Sequence, residues 1–397
     1  MSRLIGTVSR GLRGPIIREG DDVAQIAANA LLEAIQEENI PLHDNDILAI
    51  TESVVARGQA NYVSVDDIAA DIRSKFPDGE AGLIFPILSR NRFAIVFSGI
   101  CRGLKKVHLM LSYPADEVGN HLFTEDEMDA AGLNPYTDVL TEARYRELFG
   151  SNVHPFTGID YVAYYREIAE QAGCDIEIIF ANDARRILDY CPNVVTADIH
   201  SRARSKRLLT AAGAKAVYGL DNIMNRPGSL GGFNADYGLL GSNKAAETTL
   251  KLFPRDCQPF VERIQALIRE KTGKTIQVMV YGDGAFKDPV GKIWELADPV
   301  VSPGYTSGLE GTPNELKLKY LADNKFAGLS GDALHDAILH EIEGKDADLK
   351  GKMETQGTTP RRLTDLIGSL CDLTSGSGDK GTPLILIQGY FDNYAMD

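Results

Sequence analysis

Residues 194–220 read VVTADIHSRARSKRLLTAAGAKAVYGL. The apolar run Val194-Val195-Thr196-Ala197 has the length and β-branched content of a strand. Ser201–Ala212 continues with helical spacing, and Lys215–Leu220 is strand-like again. Strand, helix, strand predicts parallel strands joined by a crossover helix. The same texture extends toward the N-terminus. Phe93-Ala94-Ile95-Val96-Phe97, Val107-His108-Leu109-Met110-Leu111 and Ile176-Glu177-Ile178-Ile179-Phe180 read as strands, and Tyr161–Ala172 as a helix. From about Phe85 to Ala214 the chain therefore predicts a small α/β unit with a parallel sheet. No Gly-x-Gly-x-x-Gly follows any of these strands, so the sequence does not support a dinucleotide fold.

Both flanks carry elements of their own. Asp21 and Asp22 precede apolar residues at Val23, Ile26, Ala27, Ala30, Leu31, Ala34 and Ile35, an acid-capped helix. The turn signal Asp44-Asn45-Asp46 leads into Ile47-Leu48-Ala49-Ile50, a buried strand, and Ser64-Val65-Asp66-Asp67 caps a helix running to Phe76. Farther on, a helix over Pro259–Lys271 leads into a strand at Ile276–Tyr281. Asp323–Lys352 reads as a polar helical segment, and the lone Trp294 as a core or interface residue. The helix Pro360–Cys371 puts Leu363, Leu366, Ile367 and Leu370 on one face, ahead of the strand Leu384-Ile385-Leu386-Ile387.

The 397 residues suffice for two or three domains with cores of their own. A net charge of −15 argues against non-specific binding to nucleic acid or anionic membranes. An anionic substrate would need a local basic patch or a metal. No apolar run is long enough to cross a membrane, and MSRLIGTVSRG lacks the apolar core of a signal peptide. The five cysteines, Cys101, Cys174, Cys191, Cys257 and Cys371, are scattered, which reads as reduced thiols in a cytoplasmic protein. His335 and His340 fall on different faces of a helix and read as surface residues.

Three places carry chemical potential. The first is the glycine-rich loop Thr374-Ser375-Gly376-Ser377-Gly378-Asp379-Lys380-Gly381-Thr382-Pro383. Its glycines let backbone N–H groups turn toward phosphate oxygens, with Lys380 among them, but it opens a strand and lacks P-loop spacing. The second is a pair of aspartates at strand ends, Asp221 after Gly219-Leu220 and Asp283 within Gly282-Asp283-Gly284. Carboxylates so placed can hold Mg²⁺ or Mn²⁺ against phosphates, or can simply cap turns. The third is the basic helix carrying Arg202, Arg204, Lys206 and Arg207, with Asp198 and His200 just before it. This group reads either as a solvated face with a capping turn or as a site for an anion.

Five segments in order resemble the coenzyme F420-0:L-glutamate ligase family of GTP-dependent γ-glutamyl ligases. They are Gly14-Pro15-Ile16-Ile17-Arg18-Glu19-Gly20-Asp21-Asp22; Asp44–Arg57; Gly219-Leu220-Asp221 with Pro227-Gly228-Ser229-Leu230; Thr272-Gly273-Lys274 through Asp283; and Asp365 through Gly389. The resemblance implies that Asp221 and Asp283 hold a divalent metal, Mg²⁺ or Mn²⁺, with Gly284 as a carbonyl ligand. It implies a GTP site made by Pro15, Ile16, Ile17, Glu52, Ser53, Arg57, Asn225, Ser375, Gly376, Ser377, Gly378, Asp379, Lys380, Gly381 and Thr382. Glu52 stands where the family has a hydroxyl, Arg57 where it has lysine, Met224 where it has a nucleotide-binding asparagine, and Ser377 where it has a second-metal ligand.

The implied fold is α/β: a ligase-like core from residues 1–84 and 215–397, with an inserted α/β domain at 85–214. The implied reaction joins a small-molecule carboxylate acceptor to the amine of L-glutamate through an acyl phosphate, in a homodimer. Two other readings keep the scaffold: a non-catalytic nucleotide- or metabolite-binding homologue, and a metal-dependent phosphoryl-transfer or hydrolytic enzyme.

Overall fold

The computed structural model describes residues 4–90, 92–154, 157–282, 285–287, 294–296, 301–355, 361–375 and 379–396. It is an α/β protein built around two larger sheets. In the five-stranded sheet the order is Val8–Leu12, Leu384–Gln388, Ile47–Thr51, Gln277–Tyr281, Gly304–Tyr305. The two chain ends meet here: Val8 pairs with Gln388 and Leu12 with Leu384, antiparallel. Ile47–Thr51 and Gln277–Tyr281 run parallel and end together at Thr51 and Tyr281.

Alternation along these strands sorts the side chains into two cores, as a period of two requires. Leu48, Ile50, Val278 and Val280 pack with residues of the helices Val23–Glu37 and Cys257–Thr272. Ile47, Ala49, Met279 and Tyr281 face Ile367 and Cys371 of the helix Leu363–Ser375. Asp22 caps the first helix by accepting the Gln25 N–H at 3.1 Å. Its two oxygens also bind Arg263 of the neighbouring helix; that hydrogen bond holds the Asp22 carboxyl below its usual range.

The second sheet has six strands, and its five parallel members are Glu80–Ile84, Lys106–Leu111, Asp175–Phe180, Asn193–Thr196 and Ala216–Gly219. Taken in chain order, they stand third, second, first, fourth, fifth across the sheet, with Leu140–Thr141 antiparallel on the outer edge. This is the order of doubly wound dinucleotide-type sheets, which corrects the expectation from the missing glycine motif. The glycine turn itself is indeed absent: Phe85-Pro86-Ile87-Leu88 follows the first strand, with Phe85 at φ 54°. The sheet begins at Glu80 and ends at Gly219, reaching past residues 85–214 on both sides.

Phe93–Phe97, expected as a strand, is the start of a helix, Phe93–Gly103. A short run that is apolar on every side fits a buried helix as well as a buried strand. Here the helix packs against Val65–Lys75, itself capped by a reciprocal Ser64–Asp67 hydrogen-bond pair. Gly99 and Gly103 permit the close approach. A Cβ on Gly99 would lie 2.7 Å from the Ile68 Cβ, and one on Gly103 2.8 Å from the Ile72 Cβ. Gly99→Ala is therefore expected to lower the unfolding free energy by about 1–3 kcal/mol through overpacking, despite alanine's better helix propensity. Urea denaturation of the two proteins measures this; an unchanged or raised midpoint would show that the helices have room to part.

Candidate functional site

The carboxyl ends of the parallel strands Ile47–Thr51 and Gln277–Tyr281 open into a cavity of about 1010 Å³. Binding crevices of α/β sheets lie at this end of their strands. Each wall has a local origin. Gly14–Ile17 continues from the first strand, and the Gly14 N–H donates to the Gly381 carbonyl at 3.2 Å, so two distant loops share one rim. Thr51 ends its strand by donating its N–H to the Pro383 carbonyl at 3.0 Å. The helix Glu52–Gly58 starts at once, bringing Glu52, Ser53 and Arg57 to the wall. Asp372 and Ser375 come from the end of the helix Leu363–Ser375, where the Ser375 carbonyl accepts from the Thr382 hydroxyl at 2.8 Å.

The fourth wall is a small antiparallel sheet of Asn243–Ala246, Thr249–Lys251 and Tyr62–Ser64. It contributes Asn243, Lys244, Lys251 and Tyr62. The Lys251 ammonium donates to Glu52 Oε1 at 2.9 Å, and the two residues are only 9% and 7% exposed. The negative charge that Glu52 brings where a hydroxyl was expected is thus met inside the wall. Tyr281 closes the floor, its phenol pushed well above the usual range by burial.

Of the residues expected to bind nucleotide, Pro15, Ile16, Ile17, Glu52, Ser53, Arg57, Ser375, Gly381 and Thr382 line this one cavity. Asp379 and Lys380 form the exposed turn before Gly381 and are not on its lining. Gly376, Ser377, Gly378, Asp283 and Gly284 lie outside the described residues. Asn225 and Asp221 are not on the lining either. Asp221 sits just beyond the strand Ala216–Gly219 of the six-stranded sheet. Lys206 donates to both its oxygens, at 2.7 and 2.8 Å, and to Asn222 Oδ1 at 2.8 Å. Among the described residues, no group of three or more His, Cys, Asp or Glu side chains is arranged to hold a metal ion.

Several other marked segments are engaged by the fold itself, while Arg204, with Arg185, lines a separate cavity of about 220 Å³. The Ser229 N–H donates to Asp67 Oδ1 at 2.6 Å, and a Cβ on Gly228 would fall 2.9 Å from the Asp67 Cγ, so Gly228-Ser229 lies directly on a helix start. Burial works against ionisation of Asp67, but the Ser64 and Ser229 N–H groups outweigh it and lower its carboxyl. Asp198 accepts from the Ser201 and Ser205 hydroxyls, both at 2.7 Å, while Glu117 accepts the backbone N–H groups of Ile199, His200 and Ser201. In the basic cluster, Lys206 is engaged by Asp221 and Arg202 by the Ile199 carbonyl. All five cysteines are free and buried.

The sequence reading missed Lys251, Lys244, Asn243, Tyr62, Tyr281 and Asp372 as wall residues. Only Lys251 carried a local signal. A lysine inside Thr249-Leu250-Lys251-Leu252-Phe253 is either on an exposed face or buried against an acid.

A search of the curated proteins found no match. No helix among the described residues is long and apolar enough to cross a membrane. The family model for F420-0:gamma-glutamyl ligase matches residues 11–389, from the last residues of the first strand to the turn after the final one. That match takes in every wall of the cavity, and the chain belongs to the F420-0:gamma-glutamyl ligase family.

Proposed function

We propose that the cavity binds GTP and that the protein uses it to join a small-molecule carboxylate acceptor to the amine of L-glutamate. The observation that carries this reading is convergence. Pro15–Ile17, Glu52–Arg57 and Ser375–Thr382, far apart in the chain, bring wall residues to one cavity of about 1010 Å³. That volume holds a nucleotide with room for a second ligand.

In the proposed reaction an acceptor carboxylate oxygen attacks the γ-phosphorus, GDP leaves, and an acyl phosphate forms. The glutamate amine then attacks the acyl carbon, phosphate leaves with its bonding pair, and the amine loses a proton. Phosphoryl transfer needs positioning and charge neutralisation more than a protein nucleophile. Arg57, Lys244 and Lys251 set positive charge on the wall, against Glu52 and Asp372. A planar guanidinium at Arg57 suits two-pronged contact with phosphate oxygens. F420-0 is the acceptor class that the family suggests, and a homodimer belongs to the same proposal.

Mg²⁺ or Mn²⁺ enters this reading through Asp283 and Gly284, outside the described residues. Asp221 does not fit as a ligand in this arrangement, because both its oxygens accept from Lys206 and it is off the cavity wall.

Calorimetric titration with GTP tests the proposal. The wild-type protein is expected to bind GTP, and Arg57→Ala to weaken it by roughly tenfold or more, the size of one lost charge-assisted contact. Folded wild-type protein that binds no GTP would sink the reading; GTP binding without amide formation from any acceptor would favour a non-catalytic binder. A companion variant separates the two aspartates. Asp221→Asn is expected to lower unfolding free energy by about 1–2 kcal/mol, from the weakened Lys206 contact, with GTP affinity unchanged. Loss of metal-dependent GTP binding in that variant would instead put Asp221 at the site.

A further inference from the structure

We propose that Lys251 is a direct ligand of the nucleotide's phosphate oxygens and that Glu52 holds it ready while competing for it. The inference rests on the GTP reading above and deepens it. Lys251 ends the strand Thr249–Lys251, where it pairs with Tyr62 on one side and Asn243 on the other, so its backbone is fixed from both flanks. Its side chain lines the cavity and is nine-tenths buried.

An ammonium carries three N–H donors. Among the described residues, Lys251 donates to Glu52 Oε1, which leaves donors for whatever enters the cavity. Burying such a pair contributes little to stability, since the desolvation of both charges offsets their attraction. A pair of apolar residues would close the wall as well. What the pair supplies is an ammonium group held in one place on the face of a cavity, its charge offset by Glu52 until a ligand competes for it. Arg57, one helical turn beyond Ser53, and Lys244, on the same hairpin as Lys251, face the same space. Lys251 is the most buried of these cations, so its field is the least screened by solvent.

The alternative is that Lys251 only cancels the charge of Glu52. Glu52→Gln, Lys251→Met and the double variant decide between the two. Each would be titrated with GTP, with inorganic tripolyphosphate and with guanosine, alongside thermal melts. If Lys251 binds phosphate, Lys251→Met weakens GTP and tripolyphosphate by roughly tenfold or more and leaves guanosine unchanged, and Lys251→Arg recovers part of the loss. Glu52→Gln then tightens GTP severalfold, because the competitor is gone. The double variant buries no unpaired charge and is expected to fold, yet it stays as weak as Lys251→Met.

Wild-type GTP affinity in the double variant would overturn the inference, as would weaker GTP binding in Glu52→Gln. So would a Lys251→Met effect confined to added L-glutamate, which would assign the lysine to a substrate carboxylate. Wild-type protein that binds neither GTP nor tripolyphosphate would remove the GTP reading and this inference together. GTP binding untouched by Lys251→Met removes the inference alone.

Discussion

The pairing of the two chain ends is the constraint on which the site depends. Val8–Leu12 and Leu384–Gln388 form one antiparallel ladder, and the second of these strands continues the ladder to Ile47–Thr51. The cavity rim follows from it. Gly14 lies just past the first strand, Gly381 and Pro383 just before the last, and the two backbone bonds Gly14–Gly381 and Thr51–Pro383 tie them where the strands end. Loops remote in sequence become neighbours because the ladder leaves them nowhere else to go. Closing so long a loop costs chain entropy, though the cost grows slowly with length. The apolar faces of the sheet, buried on both sides, offset it.

The six-stranded sheet shows how a familiar strand order can be kept without its usual ligand machinery. Part of its carboxyl edge is occupied by the protein's own groups. The Asp116 carboxylate accepts N–H donors from Leu88, Val118 and Asn120, and Glu117 takes the turn before the helix Arg202–Ala211. Lys206 and Asp221 bind each other across the neighbouring strand end. Carboxylates that accept several backbone N–H groups from turns at this edge occupy donors that an anionic ligand would otherwise use.

The elements were largely legible in the sequence, because each depends on local spacing. Asp22 and Ser64 announce their helices through capping geometry, and the sorting of Leu48 and Ile50 to one core and Ile47 and Ala49 to the other follows from strand periodicity. Phe93–Phe97 was misread because a run that is buried all round has no period. The doubly wound order was hidden because the glycine turn that usually reports it is replaced by Phe85-Pro86. Within the site, motif resemblance reached Pro15–Ile17, Glu52–Arg57 and the loop that ends at Thr382. It did not reach Lys251, whose importance comes from a carboxylate 199 positions away in the chain.

By itself, then, the sequence determined the α/β character, the caps and strand faces, and the family, all of which rest on local periodicity or on short motifs kept in order. Only the tertiary structure decided which charges stand together. It turned Glu52 from an isolated acid into half of a buried pair with Lys251, and it drew Asp221 away to Lys206. The reason is physical: a charge is defined by its neighbours within a few ångströms, and those neighbours arrive from distant segments once the strands have paired.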